Sequence, residues 1–247
     1  MRTDEYTPGY SAPMVQFMAQ RSAETHAGFF LSQLRPGSSV LDAGCGPGTI
    51  TLGLARKAAP GKVIGIDVED SQFEQARAIA QREGLSVDFR HASVYQLPFA
   101  DQQFDAVFSH AVLEHLSEPA AAITEFHRVL KPGGLIGLKA GDLGGLLIDA
   151  DSEGPAQAFA AYMTQQRQGD KDPNVGRKLG RLMRHAGFSV EKMTASYEVI
   201  SDLLAKIGPS MAASFAAPGS SCRIEDKAEM PSLFVALAWC EATGHAV

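Results

Sequence analysis

Val40-Leu41-Asp42-Ala43-Gly44-Cys45-Gly46-Pro47-Gly48-Thr49 is the stretch on which the fold turns. Its branched, apolar start predicts a short buried strand over residues 39–42. The alternating glycines let the backbone turn sharply and let a ligand come close where a Cβ would clash. Thr49 then opens a helical pattern that runs to residue 59 and is stopped by Pro60-Gly61. Free amides at the start of that helix face the same crevice as the turn. In open α/β sheets that crevice, beyond the carboxyl ends of parallel strands, is where ligands bind.

Outward from this unit the chain alternates. Strands are predicted at 62–66, 87–90, 104–108 and 135–138, with helices at 71–83 and 119–130 and a Lys131-Pro132-Gly133-Gly134 turn. Strands alternating with helices imply a parallel sheet with right-handed crossovers and helices on both faces. Upstream, residues 1–35 read as a helical preface in two pieces, with Val15, Met18, Ala19, Phe29, Phe30 and Leu34 on its apolar face. Downstream, residues 141–175 carry Gly141, Gly144, Gly145, Gly154, Gly169 and Pro173 among helical pieces and are too long for a simple connection, which predicts a functional cover. A helix at 176–186 and closing strands at 188–193 and 234–240 follow, while 201–231 is too mixed to assign. The whole of 1–247 reads as one domain: an N-terminal cover (1–35), a ligand-binding core (36–140), a lid insertion (141–175) and the C-terminal half of the core (176–247).

Composition narrows the function. The 247 residues carry a formal net charge of −6, and their Lys and Arg are scattered, a poor footprint for binding a phosphate backbone. The start, Met1-Arg2-Thr3-Asp4-Glu5-Tyr6, is too acidic and polar for a signal peptide. No uncharged apolar run approaches the roughly 18 residues of a membrane span. Cys45, Cys222 and Cys240 fit no zinc spacing and, being odd in number, no disulfide framework. These features predict a soluble, cytoplasmic protein with reduced thiols and neither nucleic acid nor membrane as partner.

The glycine turn fits two ligands unequally. A dinucleotide fingerprint needs Gly-x-Gly-x-x-Gly, whereas this chain has Gly-x-Gly-x-Gly preceded by Asp42. A carboxylate there is unwelcome to pyrophosphate but suits a cation, and S-adenosylmethionine carries both an ammonium and a sulfonium. Gly65-Ile66-Asp67 ends the next predicted strand with an acid that can accept from ribose hydroxyls, which argues for a nucleoside of either kind.

The run from VLDAGCGPGT through GID and LPFADQQFDAVFSHAVLEHLSEP to EFHRVLKPGGLI resembles the class I S-adenosylmethionine-dependent methyltransferases, most of all the small-molecule branch that includes the quinone-biosynthesis C-methyltransferases. The likeness is strong over 36–140 and looser through Asp172-Pro173-Asn174-Val175-Gly176-Arg177 and Ala186-Gly187-Phe188. It implies a Rossmann-like, mostly parallel seven-stranded sheet and a cofactor site shared by Tyr10, Asp42, Gly44, Cys45, Gly46, Gly48, Asp67, Val68, Gln72, Ala92, Ser93, Val94 and His110. By that resemblance the glycines lie against the methionine and ribose, Asp42 holds the ammonium, and Asp67 binds the ribose hydroxyls. Val68 and Gln72 flank the adenine, Ala92-Ser93-Val94 read its edge, and the His110 carbonyl faces the ammonium. Ser93 stands where the family often has Asp, and its hydroxyl accepts more weakly. Read for packing alone, Val68 is core, Gln72 a solvated helix residue and Cys45 a small residue filling the turn.

Methyl transfer mainly needs alignment and exclusion of water. No metal-ligand cluster stands out, and a metal is optional for this chemistry. A base near the acceptor would come from Tyr10 or His115, with His26 and Asp142 as further candidates; His127 and His185 read as surface residues on helices. After the fourth strand, Ser109-His110-Ala111-Val112 lacks the Asn/Asp-Pro-Pro-aromatic run that holds a flipped base. The expected partner is a small-molecule methyl acceptor; a homodimer is left open, as is a non-methylating S-adenosylmethionine-binding role as regulatory subunit or cyclase scaffold.

Overall fold

The computed structural model describes residues 10, 12–150, 153–200 and 234–247. Val40–Ala43 (β1) is buried throughout and pairs in parallel with Val63–Asp67 (β2) on one side and Phe104–His110 (β4) on the other. Val87–His91 (β3) lies outside β2, and Leu130–Gly141 (β5) lies beyond β4, all parallel. Phe234–Ala246 (β8) runs antiparallel to β5. Phe188–Val199 (β7) covers the far edge of β8. Leu147–Asp149 (β6) takes up the β5-facing edge of β8 where β5 leaves off, since Ala236 pairs with both Leu147 and Val199. The sheet thus has eight strands rather than the expected seven. The extra one, β6, lies inside the segment that looked like irregular cover: Leu147 and Ile148 find a free ladder edge on the long β8.

Helices cover both faces. On one side pack Ala23–His26 (α2), Gly28–Leu31 (α3) and Thr49–Ala58 (α4), with Phe30, Leu54 and Ala58 against Val40, Val63 and Phe108. On the other pack Pro119–Val129 (α6) and Leu179–His185 (α8), with Ile123, Phe126 and Met183 against Leu41, Ile64 and Ile136. Adjacent residues of β1 feed opposite clusters, Val40 one and Leu41 the other, as the two-residue strand period requires. Phe73–Arg82 (α5) seals the β2–β3 end by setting Phe73 on Phe89, ring centroids 5.6 Å apart.

Three local expectations change. The preface has three helical pieces, not two: Ala12–Ala19 (α1), then α2 and α3, because the Ser22 hydroxyl caps a fresh helix by accepting from the Thr25 amide. Residues 131–134 are a bulge within β5, for Leu130 pairs with Phe104 and Leu135 with Ala106 while Gly133 takes φ +72°. The helical pieces expected in the lid segment are joined into one long helix, Gly154–Gln168 (α7), after β6. Residues 1–9 of the preface, the unassigned 201–231 and Cys222 lie outside the described residues. Among those described, no helix is long and apolar enough to cross a membrane.

Candidate active site

The turn after β1 is built by its glycines in distinct ways. Gly44 sits at φ +84°, and an added Cβ would run into the Val112 side chain. Its amide and that of Cys45 both donate to the Ile66 carbonyl, at 2.8 and 2.9 Å, which fixes the turn to β2. Gly46, at φ +50°, has open space where its Cβ would be, and its amide donates to Oδ2 of Asp67 at 2.7 Å. Gly48 does something else. It caps α4 at φ +78°, and a Cβ there would come within 2.8 Å of the Phe89 ring. Gly48 therefore lets helix and strand pack closely and is not part of the cavity wall, contrary to the ligand contact expected of it.

Cys45 packs with Phe73, Ala76 and Phe89. Burial, then the carboxylates of Asp42 and Asp67, push its thiol well above the ordinary range. A thiol held protonated in this way is no nucleophile.

Asp42 lies at the end of β1 with 2 % of its surface exposed, and its Oδ2 accepts from the Thr51 hydroxyl at 2.7 Å. Burial raises its carboxyl to about 7, against the Thr51 hydrogen bond and with a further push from Asp67. Asp67 ends β2, takes the Gly46 amide on one oxygen and the Glu69 amide on the other at 3.1 Å, and is likewise raised, mainly by burial. Two buried acids that resist ionisation in the free protein form a place that a cation stabilises.

Both acids line one cleft at the carboxyl ends of β1, β2 and β4, enclosing about 970 Å³ of empty space with its open mouth included. Gly44, Gly46, Val68, Ala92, Ser93 and Val94 share its wall. Ser93 is buried, and its hydroxyl accepts from the Tyr95 amide at 3.3 Å. Gln72 is not brought to the cleft: it stands at the start of α5 with its amide turned to the Ser71 hydroxyl at 3.1 Å.

Of the base candidates, Tyr10 and His115 both line the cleft. Burial, then the positive charge of Lys171 and Arg21, pulls His115 down to about 3, so its imidazole is neutral at physiological pH. Asp142 is taken up elsewhere: Arg177 grips both its oxygens at 2.6 Å, locking the end of β5 to the Gly176–Lys178 turn. His26 lies with Nδ1 2.7 Å from the Thr25 hydroxyl and Nε2 3.8 Å from Glu198. His127 is not a surface residue, for its ring packs edge-on against Phe188 at 4.9 Å; His185 is exposed as expected.

The preface contributes Tyr10, Met18 and Arg21 to the cleft, while Phe29 and Phe30 turn inward onto Phe108. No described residue of 141–175 is part of the wall. Sequence reasoning missed Arg21, Tyr95 and Leu116 as wall residues and Thr51 as the partner of Asp42. A hydroxyl one turn into the helix that follows the glycines was a usable signal for Thr51; Arg21 had none, since only the folding of the preface over β4 brings it in. The backbone at Ala111 is strained, at φ +55° without being glycine, and its amide donates to the Lys139 carbonyl at 2.9 Å. Such conformations concentrate at functional sites.

Residues 41–138 match the family described as "Methyltransferase domain". An uncharacterized methyltransferase of Schizosaccharomyces pombe is 38% identical over 145 residues, covering 56% of this chain and 52% of that protein. A ubiquinone biosynthesis O-methyltransferase of Dinoroseobacter shibae is 38% identical over 100 residues, 40% of each chain. The chain thus spans about half the length, or less, of these relatives. In fold it is similar to a putative methyltransferase of Bacillus halodurans (TM-score 0.61, 19% identity, 89% of this chain and 98% of that one) and to the [4+2]-cyclase SpnF (TM-score 0.54, 23% identity, 94% and 79%). The motif resemblance is met over residues 41–138, which match the methyltransferase domain, and the quinone-pathway likeness comes through an O-methyltransferase.

Proposed function

We propose that this protein binds S-adenosylmethionine in the cleft above β1, β2 and β4 and transfers its methyl group to a small-molecule acceptor. The observation that carries the reading is the convergence of Asp42, Asp67 and the Gly46 turn tied to it on one wall. These groups suit the cofactor's ammonium and its ribose. The ammonium compensates the buried Asp42 carboxylate, and the ribose hydroxyls reach Asp67 beside the Gly46 amide. Gly44 and Gly46 leave room for the backbone to approach the methionine chain, Val68 flanks the adenine, and Ala92-Ser93-Val94 border it. The carbonyl of His110 faces the ammonium, and Tyr10 closes the site from the preface.

The cofactor supplies a methyl group already activated by its sulfonium. The work left to the chain is alignment for in-line displacement and exclusion of water. The wall beyond the cofactor motifs is suited to this: Met18, Val112 and Leu116 are apolar, and Tyr10, Arg21, His110 and His115 supply the polar contacts. His115, with its pKa pulled down to about 3, is too weak a base to take the acceptor's proton and orients the acceptor instead.

The test is calorimetry followed by product analysis. S-adenosylhomocysteine is expected to bind in the micromolar range and NAD not to bind. Turnover with a mixture of small hydroxylated and amino acceptors is expected to give S-adenosylhomocysteine in step with a product heavier by one methyl group. Tight NAD binding with no response to S-adenosylhomocysteine defeats the cofactor assignment. Cofactor binding without any methylated product points to the non-methylating alternative, a scaffold role.

A further inference from the structure

At the end of β4, the His110 side chain forms part of the cleft wall and is only 6 % exposed. Its Nε2 is buried and has no hydrogen-bond partner among the described residues. Leaving a buried polar atom unmade costs roughly 1–3 kcal/mol, so it calls for an explanation. The ring is held on two sides. Trp239 of β8 stacks on it at 5.0 Å with an interplanar angle of 25°, and His26 of α2 meets it edge-on at 5.2 Å. Both clamps are themselves fixed by one carboxylate: the Trp239 indole donates to Glu198 of β7 at 2.8 Å, and His26 Nε2 lies 3.8 Å from the other Glu198 oxygen. An imidazole held this firmly, with an unused nitrogen beside a ligand cleft, is built to meet something.

Its charge environment says what. Arg21, His26 and Lys139 act on the ring from the preface, α2 and β5. The acids near these groups are Glu198, which faces His26, Glu241, which pairs with Lys139 at 2.8 Å, and Glu114, which lies in the field of Arg21. Burial first, then those cations, holds the His110 imidazole well below its ordinary range, so it is neutral and a poor proton sink. The tautomer that carries its proton on Nε2 has a donor to offer. A neutral donor in the field of Arg21 and Lys139 favours an oxyanionic acceptor over a neutral one.

Building on the methyltransferase reading, we infer that the Nε2–H of His110 donates to the nucleophilic oxygen of the acceptor, and that this acceptor is an acidic hydroxyl, a phenol or enol, bound as its anion. His26, Trp239 and Glu198 are positioning residues that act through His110. The step balances without a base from the protein. The oxygen's lone pair forms the new O–C bond, the C–S bond breaks with its pair left on sulfur, and oxyanion and sulfonium are neutralised together.

The probe is 4-nitrophenol, whose ionised form is yellow, with 4-nitroanisole as the control that cannot ionise. It is titrated with the full chain saturated with S-adenosylhomocysteine. In the wild type its apparent pKa is expected to fall by about one unit on binding, a tenfold preference for the anion. His110→Phe, which keeps a ring against Trp239 but has no donor, is expected to abolish the shift while circular dichroism shows the fold retained. Glu198→Gln is expected to reduce it. No binding of 4-nitrophenol to the wild-type complex, a bound pKa that is unchanged or raised, or an equal shift in His110→Phe overturns the inference. If the Phe variant fails to fold, as circular dichroism would reveal, His110→Leu replaces it, and the wild-type titration still decides the sign of the shift. Failure of the wild type to bind S-adenosylhomocysteine is a different result and strikes the cofactor reading instead.

Discussion

The amide of Gly46 donates to Oδ2 of Asp67 at 2.7 Å, so the turn after β1 is tied to the end of β2 by a bond from the glycine loop to an acid. This couples the two cofactor motifs. Asp67 is expected both to hold ribose hydroxyls and to set the loop that faces the methionine chain. Asp67→Ala should weaken S-adenosylhomocysteine binding at least about tenfold, because charge-assisted hydrogen bonds contribute roughly 1.5–3 kcal/mol each. Calorimetry on the variant, with circular dichroism to confirm the fold, makes the measurement. An unchanged affinity would mean that Asp67 does not touch the ligand.

Asp42 makes cofactor binding and stability depend on pH. Its folded-state carboxyl lies near 7 and its ordinary value is 3.8. Between those values the folded chain keeps a proton that the unfolded chain has lost, so stability falls as pH rises through the window and levels off above 7. At about 1.4 kcal/mol per unit the penalty is on the order of 4 kcal/mol. A bound ammonium favours the carboxylate. Binding S-adenosylhomocysteine at pH 6 should therefore release a proton, and affinity should rise toward pH 7. Titrations in buffers of unlike ionisation enthalpy count that proton. Asp42→Asn should abolish the release, and a wild type that releases none would contradict the assignment.

Arg177 and Asp142 pin the start of the lid segment. Asp142 is buried while Arg177 is half exposed, so removing the arginine strands an acid that water partly reaches. Arg177→Ala should lower the unfolding free energy by about 2 kcal/mol, short of the 3–5 kcal/mol for breaking a fully buried pair. Adding Asp142→Asn should recover part of the loss. Urea unfolding of the single and double variants tests this, and equal stability of wild type and Arg177→Ala would show the pair to be idle.

The preface and the segment 141–175 are expected to close over the cleft when it is filled. Tyr10, Met18 and Arg21 already form its wall, and Lys171 is near enough to act on His115. Hydrogen exchange should show protection rising in 10–31 and 141–175 when S-adenosylhomocysteine binds. Equal protection in the free protein, together with unaltered turnover after deletion of residues 1–12, would rule out closure and put the acceptor's entrance elsewhere.

The sequence alone determined the parts of this protein whose physics is local. A strand that ends in Asp42, glycines that must take positive φ at 44, 46 and 48, and an acid closing the next strand are short-range constraints, so the α/β sheet and the cofactor end of the cleft were legible. Even here the backbone pattern could not separate Gly46, which leaves room for a ligand, from Gly48, which leaves room for Phe89, because both need the same φ.

Only the tertiary structure decided the wall around His110. His110, Trp239, Glu198 and His26 come from β4, β8, β7 and α2, and no periodicity links residues so far apart in the chain. The eighth strand likewise forms because the antiparallel β8 is long enough to leave a ladder edge free beyond β5, which depends on its pairing and not on the composition of 147–149. Whether an acid is a free base or a buried ion-pair partner is set by what folds against it: Asp142 was a plausible base in the sequence and is the partner of Arg177 in the fold. Local backbone rules thus placed the glycine turn and its two acids, and long-range packing, which sets burial and charge environment, shaped the rest of the cleft.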